Sequence, residues 1–323
     1  MAVMVHHAAI SIEAFVEVPP RIVRSIFEYG YLGVDFFFVL SGFIIHYSMT
    51  VNPRGASEFA ADRFFRIMIP YLPVGILVAL VYTYVPRLSA SEREWSWLSS
   101  LTLFPTSESP ALSVAWTLQH EMLFYFLYAV LFFFNRLFLG MAVWFFGIIV
   151  FNTLFSVEAN FSKILFSPLN LEFLAGLLAA IFVVSKRRVN KPMVCLLSAS
   201  LVLVFIFAGG GRSESYILGF GLAFLLPVVC EIELGKGLSV PKWFILGGAA
   251  SYALYLTHNP LLSVLSRVFS KLDLGWESAF VASFLLCVLM GLVYFWVWER
   301  RMMRLTKEIR SNGNNFLPAK GVK

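Results

Sequence analysis

Charge is what this 323-residue sequence has least of: Asp, Glu, Lys and Arg together make up only 14% of it. A water-soluble domain carries about a quarter charged residues, so the composition excludes a protein solvated on every side. Cysteine is scarce too. Cys195, Cys230 and Cys287 are an odd number, fall inside or at the ends of apolar blocks and show no metal-like spacing; this argues against a disulfide framework and reads as packing. Neither an H-E-x-x-H motif nor a nucleophilic-serine motif occurs, so the chain offers no metal site and no obvious serine acyl-enzyme. The first residues lack the basic flank and small-residue cleavage site of a signal peptide. No internal repeat is visible: the Gly33 to Gly42 string has no counterpart in the second half.

What is present is apolar, 59% of the residues, with 34 phenylalanines among them. The apolar residues gather into blocks of roughly 20, the length at which a helix crosses a hydrocarbon core of roughly 30 Å. Outer-membrane strands would instead alternate over about ten residues. The expected fold is an all-α integral membrane protein, a single bundle of about ten transmembrane helices. The blocks are Met1 to Val18, which is short; Tyr29 to Met49; one ending near Val85; one opening at Trp116; Phe138 to Phe155; Leu165 to Val184; Met193 to Ala208; Tyr216 to Cys230; one opening near Gly247; and Ser278 to Val297. Residues 1–310 read as one transmembrane domain and 311–323 as a basic tail. The break from Pro86 to Pro110 is the longest, with Arg87, Glu92, Arg93 and interface-type tryptophans Trp95 and Trp97.

The breaks after the second, fourth, sixth and eighth helices, with the tail, hold most of the 25 Lys and Arg residues. By the positive-inside rule that side is cytoplasmic, so both termini are on the inside. This bias and anionic headgroups explain the net charge of +6 without nucleic acid.

Four stretches carry candidate chemistry. Asp35 lies within an apolar span, Gly33-Val34-Asp35-Phe36-Phe37-Phe38-Val39-Leu40-Ser41-Gly42-Phe43-Ile44-Ile45-His46. A carboxylate at that depth costs roughly 2.5 to 3.5 kcal/mol and marks either a functional cavity or, beside Gly33, Ser41 and Gly42, a hydrogen-bonded packing seam. Phe59 to Ile69 mixes apolar residues with Arg63 and Arg66, as a short interfacial helix does. The two guanidiniums, one turn apart, are either a phosphate grip or a positive-inside anchor. In Trp116-Thr117-Leu118-Gln119-His120-Glu121-Met122-Leu123-Phe124-Tyr125, residues Thr117, Glu121 and Tyr125 share one helical face. In Gly247-Gly248-Ala249-Ala250-Ser251-Tyr252-Ala253-Leu254-Tyr255-Leu256-Thr257-His258, residues Tyr252, Tyr255 and either Ser251 or His258 form a polar stripe.

Together these strings resemble the motifs of the membrane-bound acyltransferase family 3, the group that includes O-antigen and exopolysaccharide O-acetylases. The resemblance covers nearly the whole chain, with Pro168 to Gly176 matching a weaker pattern. It implies an O-acyltransferase that carries an acyl group, acetyl by analogy, from a cytoplasmic acyl-CoA to a cell-envelope or exported glycan. Acyl-CoA is then a co-substrate, with no bound cofactor. His7 falls on the family's first-helix histidine, with His6 as the register alternative. The arginine ten residues before that histidine would precede Met1, so a start upstream of Met1 is expected. The implied catalytic set is His7 as base with Asp35 and Glu121. Arg63 and Arg66 would bind the donor phosphates, and Ser41, Trp116, Tyr125, Tyr252, Tyr255 and His258 would support substrate or structure. The competing reading is a transporter or flippase for a lipid-linked sugar, with Asp35, Glu121 and His258 lining its path.

Overall fold

A computed structural model describes residues 1–86, 94–155, 160–211, 214–237 and 239–314. The chain folds into helices α1 (Ala2–Phe15), α2 (Arg21–Glu28), α3 (Leu32–Val51), α4 (Ala56–Tyr84), α5 (Trp97–Thr102), α6 (Trp116–Phe133), α7 (Leu137–Leu154) and α8 (Asn160–Leu165). They are followed by α9 (Asn170–Val184), α10 (Lys191–Phe207), α11 (Tyr216–Lys236), α12 (Lys242–Ala249), α13 (Ser251–Lys271), α14 (Trp276–Tyr294) and α15 (Arg300–Asn314). No β-strand occurs among the described residues; one isolated bridge joins Trp95 to Ser109. The part of the long polar break that holds Arg87, Glu92 and Arg93 lies outside the described residues, as do residues 315–323 of the expected tail.

Each expected block forms a helix, yet among the described residues six segments, not ten, are both long and apolar enough to cross a membrane: Arg21–Val51, Ala56–Tyr84, Leu137–Leu154, Phe161–Val184, Tyr216–Gly235 and Trp276–Arg310. Helices α1 and α10 are apolar but have 14 and 17 residues, which gives about 21 and 26 Å at 1.5 Å per residue. Helices α6 and α13 have the length, at 18 and 21 residues. Their composition falls short because Gln119-His120-Glu121 and Thr257-His258-Asn259 sit inside them. Both helices that have the length but fail the apolar test carry candidate chemistry.

The expected interfacial helix, Phe59 to Ile69, is not separate from the helix that follows it. Both belong to α4, which continues through Pro70 and Pro73. A proline in a helix interior removes one N–H and orphans the carbonyl four residues earlier. For Pro73 that carbonyl belongs to Ile69, and the Trp298 indole N–H donates to it at 2.9 Å. Tyr294 and Tyr252 hydroxyls donate to the neighbouring Pro70 and Ile67 carbonyls at 2.6 and 3.0 Å. One foreign donor thus replaces the bond lost at Pro73, and two more brace carbonyls of the same turns of α4. Trp298 is placed for this by a π-helical turn, Phe295–Glu299, between α14 and α15; such bulges re-aim side chains within an otherwise regular helix.

Helices α3 and α9 form the tightest seam. A Cβ on Gly42 would strike the Phe173 carbonyl, and one on Gly176 would strike the Val39 carbonyl. The small-residue reading of the Gly33 to Gly42 string therefore holds for its glycines. Around this seam Phe38, Phe124 and Phe173 stack with ring centroids 4.5 Å apart in each adjacent pair. Helix α1 packs elsewhere, on α13 and α14: Met4 and Ala8 meet Leu262 and Cys287, and Ile12 meets Phe269 and Ala279.

Candidate active site

Helix α13 is central because its polar stripe reaches three different neighbours. Tyr252 reaches α4 through the Ile67 carbonyl. Half-buried Tyr255 donates to the Val114 carbonyl at 2.9 Å and lies 2.7 Å from Thr117 Oγ1 at the start of α6. His258, buried, lies against α1, where its Nε2 is 2.8 Å from Nδ1 of His7 with the rings nearly parallel.

The direction of that last hydrogen bond can be worked out. His258 Nδ1 lies 3.0 Å from the Leu254 carbonyl, which can only accept, so Nδ1 carries the proton. In a neutral ring Nε2 is then the acceptor, and His7 donates from Nδ1. A proton on Nδ1 makes Nε2 the basic nitrogen of His7. His6 Nδ1 instead lies 3.3 Å from the Phe27 carbonyl, with its ring between Tyr31 and, at 5.5 Å, the His7 ring.

A second group of polar residues sits between α4, α6 and α13. Glu121 is buried and accepts a hydrogen bond from the Tyr125 hydroxyl one turn on, as the shared face requires. It also faces Ser41 of α3 and the charges of Arg66 and Arg63. The Arg63 guanidinium lies 5.8 Å from the Tyr125 ring centroid, and that of Arg66 lies 5.8 Å from the Tyr252 centroid. Arg63 touches Ser48 Oγ at 3.5 Å, while its buried Nε has no acceptor among the described residues. Arg66 pairs at 2.8 Å with Glu299, which the π turn carries and which is 1% exposed. Both arginines line a cavity of about 440 Å³ whose walls hold seven cationic side chains against two carboxylates. Such a surplus suits a polyanion, and guanidiniums suit phosphate in particular.

Asp35 belongs to a third neighbourhood. It is 2% exposed and faces Glu172 of α9, which is wholly buried; apart from each other, Asp35 Oδ1 and both Glu172 oxygens have no hydrogen-bond partner among the described residues. Two carboxyls without donors in apolar surroundings are a costly arrangement. The three residues expected to act together thus have three different partners: His258 for His7, Tyr125 for Glu121 and Glu172 for Asp35. Trp116 stands edge-on to Phe38 and His120, and His120 meets Asn170 of α9 at 2.9 Å.

Sequence reasoning missed Glu299, Glu172 and Asp62 as site residues. The signal for the first two was the one that found Asp35, an ionisable group beside an apolar run. Glu299 lies just past the end of its block and so looks like an interface charge, whereas Glu172 lies inside Leu165 to Val184, where the depth argument applied equally.

The family described as "Acyltransferase domain" matches residues 1–298. The "Exopolysaccharide production protein ExoZ" of Rhizobium meliloti (strain 1021) is 30% identical over 300 residues, which cover 86% of this chain and 91% of that protein. No solved structure matches.

Proposed function

The chain belongs to the acyltransferase family 3, and from that premise we propose that it moves an acyl group, acetyl in the simplest case, from coenzyme A to a hydroxyl of an exopolysaccharide. The acceptor follows the printed name of the Rhizobium relative. The charge bias of the sequence supports a bacterial inner membrane, both termini cytoplasmic and a donor that enters from the cytoplasm.

The observation that carries the chemistry is the hydrogen-bonded run from the Leu254 carbonyl through His258 to His7. It holds His7 in the tautomer with Nε2 available to a proton. In this reading Nε2 takes the proton of the acceptor hydroxyl as the hydroxyl oxygen attacks the thioester carbonyl. The C–S bond breaks, the sulfur leaves as thiolate, and the proton passes from His7 to it, so that atoms and charge balance. His258 takes the orienting part expected of Asp35 and Glu121. Glu121, with Tyr125 and Ser41, serves as counter-charge beneath the arginine pair.

Donor binding falls to Arg63 and Arg66, which would hold phosphates in the basic cavity. Tyr252, beside Arg66, and His258 are six residues apart on α13, about 9 Å along the helix axis, a separation that an extended pantetheine arm spans. The test is steady-state acetyl transfer with varied acetyl-CoA. Arg63→Gln should raise the donor KM roughly tenfold to a hundredfold, the loss of a charge-assisted contact. Arg66 needs a paired change, Arg66→Gln with Glu299→Gln, because removing only the arginine strands a buried carboxylate. Wild-type donor dependence in both variants would reduce the two arginines to topological anchors.

A further inference from the structure

Besides α4, the basic cavity is lined by α15, which begins at Arg300, beyond the last family-matched residue at position 298. Arg300, Arg304 and Lys307 recur at i, i+4 and i+7, so they share one face of that helix; all three line the cavity. Their partners separate the structural cations from the available ones. Arg300 lies over the Trp296 ring, 4.2 Å from its centroid. Arg310 pairs with Asp62 of α4, donates to the Glu58 carbonyl at 3.3 Å and lies 6.0 Å from the Phe65 centroid. Asp62 also takes Arg54 at 2.6 Å. One carboxylate therefore latches α15 to the first turns of α4. Arg304 bonds only a carbonyl of its own helix, at 3.4 Å, and neither it nor Lys307 has a carboxylate partner among the described residues.

We propose that α15 completes the donor site, with Arg304 and Lys307 binding a second phosphate group of the donor, apart from the one held by Arg63 and Arg66, and with Asp62 and Arg310 latching that wall in place. The inference rests on the reading of coenzyme A as donor. That molecule carries a diphosphate and, at a distance from it, a ribose 3′-phosphate. Two cationic clusters on two helices that line one cavity match this division of charge into two groups, and the 3′-phosphate is assigned to α15. A lipid phosphate is the other source of the same chemistry.

The full chain is placed in phosphatidylcholine vesicles, with and without an anionic phospholipid, and kcat/KM is measured for acetyl-CoA and for acetyl-dephospho-CoA, which lacks only the 3′-phosphate. The wild type should favour acetyl-CoA by roughly tenfold to a hundredfold, the worth of charge-assisted contacts. In the Arg304→Gln, Lys307→Gln double variant the preference should fall to within about threefold, the loss lying on acetyl-CoA far more than on the dephospho donor. Asp62→Asn should erode the preference without touching a phosphate-binding residue, and Asp62→Glu should recover part of it. Wild-type preference retained in the double variant overturns the proposal. So does a variant whose response to anionic lipid changes while donor preference stays, since α15 then reads lipid headgroups. If wild-type protein accepts neither donor, the coenzyme A reading fails and takes this inference with it; if it accepts both equally, only the assignment of the 3′-phosphate falls.

Discussion

Replacing Trp298 by Phe keeps most of the ring and removes one N–H, the donor that reaches the Ile69 carbonyl at 2.9 Å. In an ordinary helix Ile69 would bond the N–H of residue 73, but that residue is Pro73 and has none. Trp298→Phe should therefore cost what an orphaned acceptor costs, about 1–3 kcal/mol, and lower the melting temperature by several degrees, at about 2–4 °C per kcal/mol for a domain somewhat smaller than this one. The partner change is Pro73→Ala, which restores the N–H inside α4. In that background Ile69 has its own helical donor, and the Trp298 change should cost about 1 kcal/mol less than in the parent. Thermal unfolding of the four detergent-solubilised proteins, followed by far-ultraviolet circular dichroism, gives the cycle. An equal cost in both backgrounds would show that Trp298 contributes packing only. The same turn carries Glu299 to Arg66, so a real coupling should also appear as a raised donor KM in the single Trp298 variant.

Gly42→Ala drives a Cβ into the Phe173 carbonyl and should destabilise by about 1–3 kcal/mol, as overpacking does; Gly55→Ala, with nothing within 4 Å of the added atom, is the control in the same melting experiment. His258→Phe removes the acceptor that sets the His7 tautomer and should lower kcat by roughly tenfold or more, whereas His258→Gln, which offers a side-chain oxygen, should lose less. Equal losses in the two variants would mean that His258 only fills space. Tyr125→Phe takes the hydroxyl from Glu121 and should shift the donor KM through the adjacent arginines more than it shifts kcat.

Local arrangements were legible and distant ones were not. Glu121 and Tyr125 meet because four residues separate them on one helix, which the sequence displays directly. Arg63 and Arg66 line one cavity for the same kind of reason. The depth argument singled out Asp35, and the residue is indeed buried; its neighbour Glu172 lies on another helix, 137 positions away in the numbering of the chain. Continuity of α4 was hidden, since two prolines ordinarily end a helix and the donors that brace this one lie 185 to 229 residues away. The His7–His258 contact joins positions 251 apart, beyond anything periodicity can report. Helices α6 and α13 read as spans in the sequence, yet their polar residues leave them outside the six segments apolar enough to cross a membrane and link α13 to α4, α6 and α1.

The most direct test of the account compares His7→Ala with His6→Ala in acetyl transfer from acetyl-CoA to the glycan acceptor, at matched protein levels in the membrane. General-base assistance is worth about 10²- to 10⁴-fold, so His7→Ala should lose that much while His6→Ala, whose Nδ1 lies 3.3 Å from the Phe27 carbonyl and not on His258, should lose less than about tenfold. Full activity in His7→Ala, or a loss confined to His6→Ala, would contradict the assignment of His7 as the base.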